Sequence, residues 1–388
     1  MTHAPLRVLF VTHAFPRHAG DAAGAFVLAL ARAVQTEGVE VRVLAPSAPG
    51  LAATDTIDGV RVLRYRYAPR GWETLAYAGT MAEQVGGSLR GKIALGLMLW
   101  RGRRAVRAAV RAWRPQLVHA HWWFPSGMMC GGHGVPMIVT SHGSDVRLAR
   151  GARARALFRR VAEQSSAMYA VSGWLARLAR EALGGRAVET APMPAATALF
   201  APTEHDAHQK DRMLFVGRLN AQKGLDDLLQ AMARARRSWT LDVVGDGPDG
   251  DALRQRAESL GVAGRVSWLG HLPQSELPAL YARSAALIIP STEEGLGLVG
   301  VEAALCETPA IAYASGGLTD VVHDGSTGWL VPTGDVAALA HAIDGVVERP
   351  TKARAYGAAA RVRALATFSP EAVGARYRAA YDAALGGR

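Results

Sequence analysis

Cysteine is nearly absent: the 388 residues contain two, Cys130 and Cys306. A pair this small cannot form a disulfide framework, so a reducing, cytosolic setting is expected. No apolar run reaches the length that spans a bilayer. The opening MTHAPLRVLFVTHAFPRH has an apolar stretch only one strand long and no small-residue cleavage pattern, so no signal peptide is expected. Aromatic residues are few, and none interleave with the basic clusters in the manner of a nucleic-acid-binding motif, so no nucleic-acid partner is expected. What remains is a chain that is 49% apolar with ordinary charge content, and so globular rather than disordered. It is too long for one ordinary core, and two domains are expected.

Acidic residues are scarce in one half. Residues 1–200 carry 25 Lys and Arg against 11 Asp and Glu, whereas the rest carry 19 against 22. Such asymmetry points to separate tasks for the two halves. Two arginine clusters dominate the basic half: Arg101, Arg103, Arg104, Arg107, Arg111 and Arg114, then Arg147, Arg150, Arg153, Arg155, Arg159 and Arg160. Both read as helical. Each alone fits a solvated helix face; together they also fit attraction to an anionic membrane surface or a phosphate-bearing acceptor.

Strand and helix alternate along the chain. Apolar strands are expected at Leu6–Thr12, Val39–Leu44, Val60–Tyr65, Leu117–Ala120, Met137–Thr140 and Met168–Val171, with a helix at Phe26–Gln35 and a long helical region over 74–113. The rhythm breaks at Pro192, Pro194 and Pro202, and the polar stretch Thr203–Asp211 reads as a linker. It restarts with strands at Met213–Val216, Leu241–Val244, Val266–Leu269, Ala286–Ile289 and Ala310–Ala312. The pattern predicts an α/β protein of two successive doubly wound domains, 1–200 and 205–368, facing a central cleft.

The strongest chemical signal is a pair of carboxylates, Glu294 and Glu302, separated by seven residues in Pro290-Ser-Thr-Glu-Glu-Gly-Leu-Gly-Leu-Val-Gly-Val-Glu302. A strand, a glycine-spaced loop and a helix follow one another here, an arrangement that presents backbone N–H groups to an anion. Carboxylates beside such a site suit hydroxyls or cationic groups next to the anion, as in a sugar nucleotide. The second half opens with Phe215-Val-Gly-Arg218-Leu-Asn-Ala-Gln-Lys223-Gly224. Its two cations suit a diphosphate whose negative charge grows as it leaves, though the same spacing fits surface cations. Gly245-Asp-Gly247-Pro-Asp-Gly250 matches G-x-G-x-x-G, yet the next strand, ending at Gly270-His271, supplies no ribose-binding acid. A tight strand-to-helix turn is therefore expected, not a dehydrogenase. His142 and Asp145 follow a strand and could touch reacting hydroxyls, while Asp145 equally fits a helix cap. His119 and His121 share a strand face, as zinc ligands would, but lack third and fourth partners. Trp122, Trp123 and Phe124 suit core packing or an apolar wall against a sugar or lipid.

In this order and spacing the motifs resemble the retaining glycosyltransferases of family 4, which have the GT-B fold, and the likeness covers essentially the whole chain. It rests on the first glycine loop, Thr-Ser-His142-Gly, Gly-Arg218…Lys223-Gly224, Val-Gly245-Asp-Gly247-Pro, Glu294-Gly-Leu-Gly…Glu302-Ala and Gly316-Gly317…Gly325-Ser-Thr-Gly328-Trp-Leu-Val-Pro. The resemblance implies a nucleotide-sugar donor held by the second domain and a glycan, lipid-linked or small-molecule acceptor held by the first. Arg218 and Lys223 would hold the donor diphosphate, Glu302 the ribose and Glu294 the transferred sugar. Backbone N–H groups of Gly295, Leu296, Gly297, Leu298 and Val299 would contact sugar and phosphate. Gly24 would let the backbone approach the phosphates, and His142 would sit between donor and acceptor. His121 and Asp145 are acceptor-side candidates. No metal and no cofactor beyond the donor are implied. The segment after Phe368 resembles the family's final helix, packing back on the first domain over about 370–388.

Four positions depart from the family's pattern: Leu296 where Phe is frequent, Glu307 where Gly is frequent, Asp320 for Glu and Pro194 for Gly. None removes a charged donor contact. The expectation is a cytoplasmic hexosyltransferase, peripheral to the inner face of the membrane if the arginines engage it. An epimerase or hydrolase of sugar nucleotides and a non-catalytic basic membrane-binding protein are the alternatives.

Overall fold

The computed structural model describes residues 4–77, 81–202 and 209–386. The chain divides into two compact units, Met1–Pro194 together with Pro370–Arg388, and Ala195–Ser369.

The first unit is built on strands β1 (Leu6–Val11), β2 (Val39–Pro46), β3 (Thr54–Ile57), β4 (Val60–Tyr65), β5 (Leu117–His121), β6 (Met137–Ser141), β7 (Ala167–Ala170) and β8 (Glu189–Thr190). They form one sheet in the order β3-β4-β2-β1-β5-β6-β7-β8. All neighbours are parallel except β3, which pairs antiparallel with β4. Strands β5 and β6 are buried throughout their length, as expected for a sheet covered on both faces. The expected long helix is two helices, Met81–Gly87 and Leu89–Trp113, because Ser88 breaks the run and caps the second by accepting from the Gly91 N–H. The second arginine cluster also spans two helices, Ser144–Leu148 and Ala152–Glu163, rather than one. The final helix, Pro370–Gly386, packs on the helix Ala25–Thr36. The contact requires Gly374, since a Cβ there would overlap the Ala33 carbonyl.

The second unit has strands β9 (Gln209–Val216), β10 (Thr240–Val244), β11 (Val266–Gly270), β12 (Ser284–Ile289), β13 (Ala310–Tyr313) and β14 (Gly328–Val331). Their order is β11-β10-β9-β12-β13-β14, all parallel. Met213, Leu241, Ala286 and Ile311 on the sheet join Leu228, Met232, Leu339 and Ile343 from helices in one core. Of the stretch read as a linker, 203–208 lie outside the described residues, and Gln209–Asp211 are already strand. Glu307, where the family favours Gly, has φ +60°. That left-handed conformation costs a glutamate more than it costs a glycine, which accounts for the usual residue.

In each unit the chain order reverses beside the first strand: between β1 and β5 in one sheet, between β9 and β12 in the other. Loops leaving the carboxyl ends of such strand pairs diverge and leave a crevice, the position where open α/β sheets bind ligands.

Candidate functional site

In the second unit the loops after β9 and β12 meet. Gly224 has φ +70°, and a Cβ on it would overlap the Pro290 carbonyl. The Thr292 N–H donates to the Gln222 carbonyl (3.0 Å), and the Gln222 amide donates to the Glu293 carbonyl. On its other side the loop is held by the segment after β13. The Gly317 N–H donates to the Glu294 carbonyl (2.8 Å) and the Ser315 hydroxyl to the Thr292 carbonyl. Cβ atoms on Gly316 and Gly317 would overlap the Glu294 and Gly295 carbonyls. The loop 290–297 is therefore clamped backbone to backbone on both flanks.

This clamp brings Lys223 onto Glu294, with Nζ 2.5 Å from Oε2 and both side chains largely shielded from solvent. Arg218, from the same β9 loop, is exposed and makes no ion pair among the described residues. Gly297 (φ +87°) turns the chain into the helix Leu298–Leu305. The N–H groups of Leu298 and Val299 open that helix and have no acceptor within it. Glu302 lies one turn further on. Its carboxylate accepts from the Gln274 amide (3.0 Å) and the Tyr281 hydroxyl (2.9 Å). Burial raises its pKa, and those two donors oppose the rise. The structure thus pairs Glu294 with Lys223 and sets Glu302 in its own hydrogen-bond frame. Gln274, Tyr281 and Gln222 carry no motif signal, and sequence reasoning missed them.

The G-x-G-x-x-G run serves the chain itself. Gly245 has φ +128°, and side chains on Gly245 or Gly247 would overlap the carbonyls of Gly217 and Leu219. The Leu219 N–H donates to Asp246 O (2.9 Å) and the Asp249 N–H returns to Leu219 O (3.1 Å). The space a pyrophosphate would need is filled by the β9 loop, and this run fixes the segment from which Arg218 projects.

In the first unit Gly24 has φ +70° and faces the Ala14 carbonyl, which a Cβ would strike. Its conformation is demanded by the loop's own packing. Asp145 is buried, and its carboxylate gathers three backbone donors: Trp123 N–H (3.0 Å) on one oxygen, His142 N–H (3.0 Å) and Gly143 N–H (3.1 Å) on the other. Burial raises its pKa against those donors. Asp145 therefore ties the loop after β6 to the loop after β5, a wider task than capping one helix. The His142 ring packs on Trp122 and Phe26, with centroids 4.3 and 5.1 Å away, and its Nε2 lies 3.2 Å from His121 Nδ1.

Behind these rings, His119 contacts the Tyr381 hydroxyl through Nδ1 (3.0 Å) and Thr140 Oγ1 through Nε2 (2.8 Å). Both of its nitrogens are engaged by side chains of the protein. No group of three potential ligands suited to a metal occurs among the described residues. Burial lowers the pKa of all four histidines of this cluster, His13 to about 4 and His121 to about 3, with His119 and His142 also well below the usual value. All four are neutral at physiological pH. Trp123 is core, stacked on Phe158 at 4.9 Å, whereas Trp122 lies between His13 and His142. His13, absent from the sequence-derived candidates, joins the cluster.

Two sheets of this type, each with clamped loops at its switch point, define the class, and comparison with known proteins agrees. Residues 21–196 match the glycosyl transferase 4-like domain and residues 201–363 the glycosyl transferases group 1 domain. Glycogen synthase of Mycobacterium tuberculosis is 29% identical over 98% of this chain and 96% of its own length. The D-inositol 3-phosphate glycosyltransferase of Segniliparus rotundus is 32% identical over 71% of this chain and 68% of its own. Among solved structures, sucrose-phosphate synthase from Thermosynechococcus elongatus superposes with a TM-score of 0.78 over 99% of this chain and all of the other, at 23% identity. The chain belongs to the family 4 glycosyltransferases of the GT-B fold and is a glycosyltransferase enzyme.

Proposed function

We propose that the protein transfers a hexose-type sugar from a nucleoside diphosphate to an acceptor hydroxyl with retention of configuration, in the assembly of a glycan, polysaccharide or glycolipid. The observation that carries this reading is the Lys223–Glu294 pair, held at the switch point of the second sheet beside the loop bearing Arg218. A diphosphate there would meet two cations, and the sugar it carries would meet a carboxylate already oriented by one of them. Glu302, framed by Gln274 and Tyr281, suits the two hydroxyls of a ribose.

In the proposed step the acceptor oxygen bonds to the anomeric carbon as the bond from that carbon to phosphate oxygen breaks. The diphosphate leaves with the electron pair, and the acceptor proton passes to it on the same face. Arg218 and Lys223 supply the positive charge the leaving group needs, so the reaction is expected to proceed in excess chelator. The first unit would hold the acceptor, with His142 neutral and placed by Asp145, and with His121 behind it. Peripheral attachment to an anionic membrane, bringing the enzyme to a lipid-linked acceptor, completes the reading.

A thermal-shift panel of UDP-, GDP- and ADP-sugars identifies the donor, and NMR of the product with that donor reads the anomeric configuration. Inversion overturns the stereochemical proposal. Rapid consumption of donor without acceptor marks a hydrolase or epimerase instead.

A further inference from the structure

We infer that the helix Leu89–Trp113 is a membrane-docking surface that lies in the interface of an anionic bilayer. The inference rests on the proposed peripheral attachment and assigns it to particular residues. Gly91, Ala94, Met98, Gly102, Val106, Ala109 and Val110 are buried and define the inward face of the helix. On the opposite crest, at helical spacing, stand Leu89, Ile93 and Trp100, which are 74%, 46% and 55% exposed. Arg104, Arg107 and Arg111 continue the same crest, flanked by Arg101 and Arg103.

The helix therefore has an outward crest that is apolar in its first half, with exposed Arg90 and Lys92 on either side, and basic in its second. A solvated helix is ordinarily polar on its outward face, and three large apolar side chains on one crest do not fit that role. Exposed arginines on such a helix are ordinarily offset by acids one turn away. Here none exists: residues 84–144 contain no Asp or Glu. None of the five arginines forms an ion pair among the described residues. The guanidinium of Arg104 instead lies over the Trp100 ring, 5.1 Å from its centroid, joining cation and amphipathic aromatic at the boundary between the two halves. Trp at headgroup level, aliphatic residues below it and arginines on phosphates make the combination that anionic bilayers bind. A duplex nucleic acid would use the arginines and leave Leu89, Ile93 and Trp100 without a role.

The test is sedimentation of the full chain with vesicles, without donor or acceptor, so that its outcome is separate from the transferase reading. Vesicles of phosphatidylcholine alone are compared with vesicles in which about a third of the lipid is phosphatidylglycerol. Binding is expected only to the second, weakening as salt rises. The double variant Ile93→Ser with Trp100→Ser and, separately, Arg104→Gln with Arg111→Gln should each reduce binding. Each arginine removed should weaken it about fivefold. All are surface changes, and unchanged thermal melting verifies the fold. Equal binding to both vesicle types, or anionic binding that both double variants retain, overturns the inference. So does duplex DNA binding as tightly as the anionic vesicles with no dependence on Ile93 and Trp100, which would assign the arginines to a polyanion.

Discussion

Lys223 Nζ lies 2.5 Å from Glu294 Oε2, so the cation proposed for the donor diphosphate and the acid proposed for the donor sugar form one ion pair. The pair orients both side chains, so a diphosphate held by Lys223 as proposed would share that cation with Glu294. Removing one partner therefore separates two effects. Glu294→Gln should leave nucleoside diphosphate affinity unchanged or tighter, because Lys223 is released to phosphate, while the single-turnover transfer rate falls about 100-fold or more. Lys223→Ala should weaken diphosphate binding and transfer together. Calorimetry with the diphosphate, alongside single-turnover kinetics, checks both. Loss of diphosphate affinity in Glu294→Gln would show that the acid, not the lysine, organises the phosphate site.

Glu302 should reveal itself through stability. Its pKa is raised in the fold by burial, so the folded state favours the protonated form. For an acid raised in this way, the favourable contribution is present below the ordinary carboxyl range and is lost as pH rises through the folded pKa. Glu302→Gln removes that cost at neutral pH, its remaining oxygen accepts from Tyr281, and its NH2 can donate to Gln274 once that amide turns over, a freedom the backbone donors around Asp145 lack. Its melting temperature at pH 7 should rise by about 2–4 °C, the gain disappearing on acidification, while donor affinity falls. Melting curves at several pH values, with and without donor, provide the check. An unchanged donor affinity would exclude Glu302 from the nucleotide site.

Asp145→Asn is a demanding test of the first unit's loops. Both carboxylate oxygens receive backbone N–H groups, so an asparagine must set its own NH2 against at least one of them. An unsatisfied buried donor costs about 1–3 kcal/mol. A fall in unfolding free energy of that size is expected by denaturant titration. The expected fall in transfer rate should be larger than in distant stability-matched controls, because the backbone at Trp123 and His142, which sets the neighbouring Trp122 and His142 rings, loses its anchor. Equal effects on stability and rate would confine Asp145 to scaffolding.

The histidine cluster sets an acid limit. His13 and His121 have folded pKa values of about 4 and about 3, below the ordinary value. A depressed histidine contributes stability that is complete above its unfolded pKa and is lost as pH falls from there towards the folded value. The melting temperature should decline from about pH 6.5 downward. His13→Gln should flatten that slope by about one proton. A slope identical to wild type would place His13 outside the acid transition.

The alternating apolar runs disclosed the β-core, because continuous segments such as Ala286–Ile289 are buried on both faces and have no other use. The short edges β3, β8 and β14 were not legible. In Thr54–Ile57 only Ile57 is buried, the other three residues are exposed, and no apolar pattern marks the strand. At the site, glycine spacing showed the loops, and charge showed Lys223, Glu294 and Glu302. What could not be read was pairing: nothing in the residues 218–224 says that Lys223 turns to Glu294, since that depends on where Gly224 sets the chain against Pro290. Tyr281 and Gln274 were equally invisible, being ordinary residues of an ordinary helix and turn until the fold places them against Glu302. The G-x-G-x-x-G run misleads in the opposite direction, because a glycine tolerating a carbonyl looks the same as one awaiting a phosphate.

The glycines flanking the loop 290–297 also bear on how this enzyme could change. At Gly224, Gly316 and Gly317 the neighbours are main-chain carbonyls, which no alternative rotamer can move aside. Any side chain at those three positions would have to displace backbone, and a library randomised there should return glycine alone. If the loop meets the donor sugar as proposed, diversification of sugar preference falls to the side chains of Glu293, Leu296, Leu298 and Val299, which can change without renegotiating the frame.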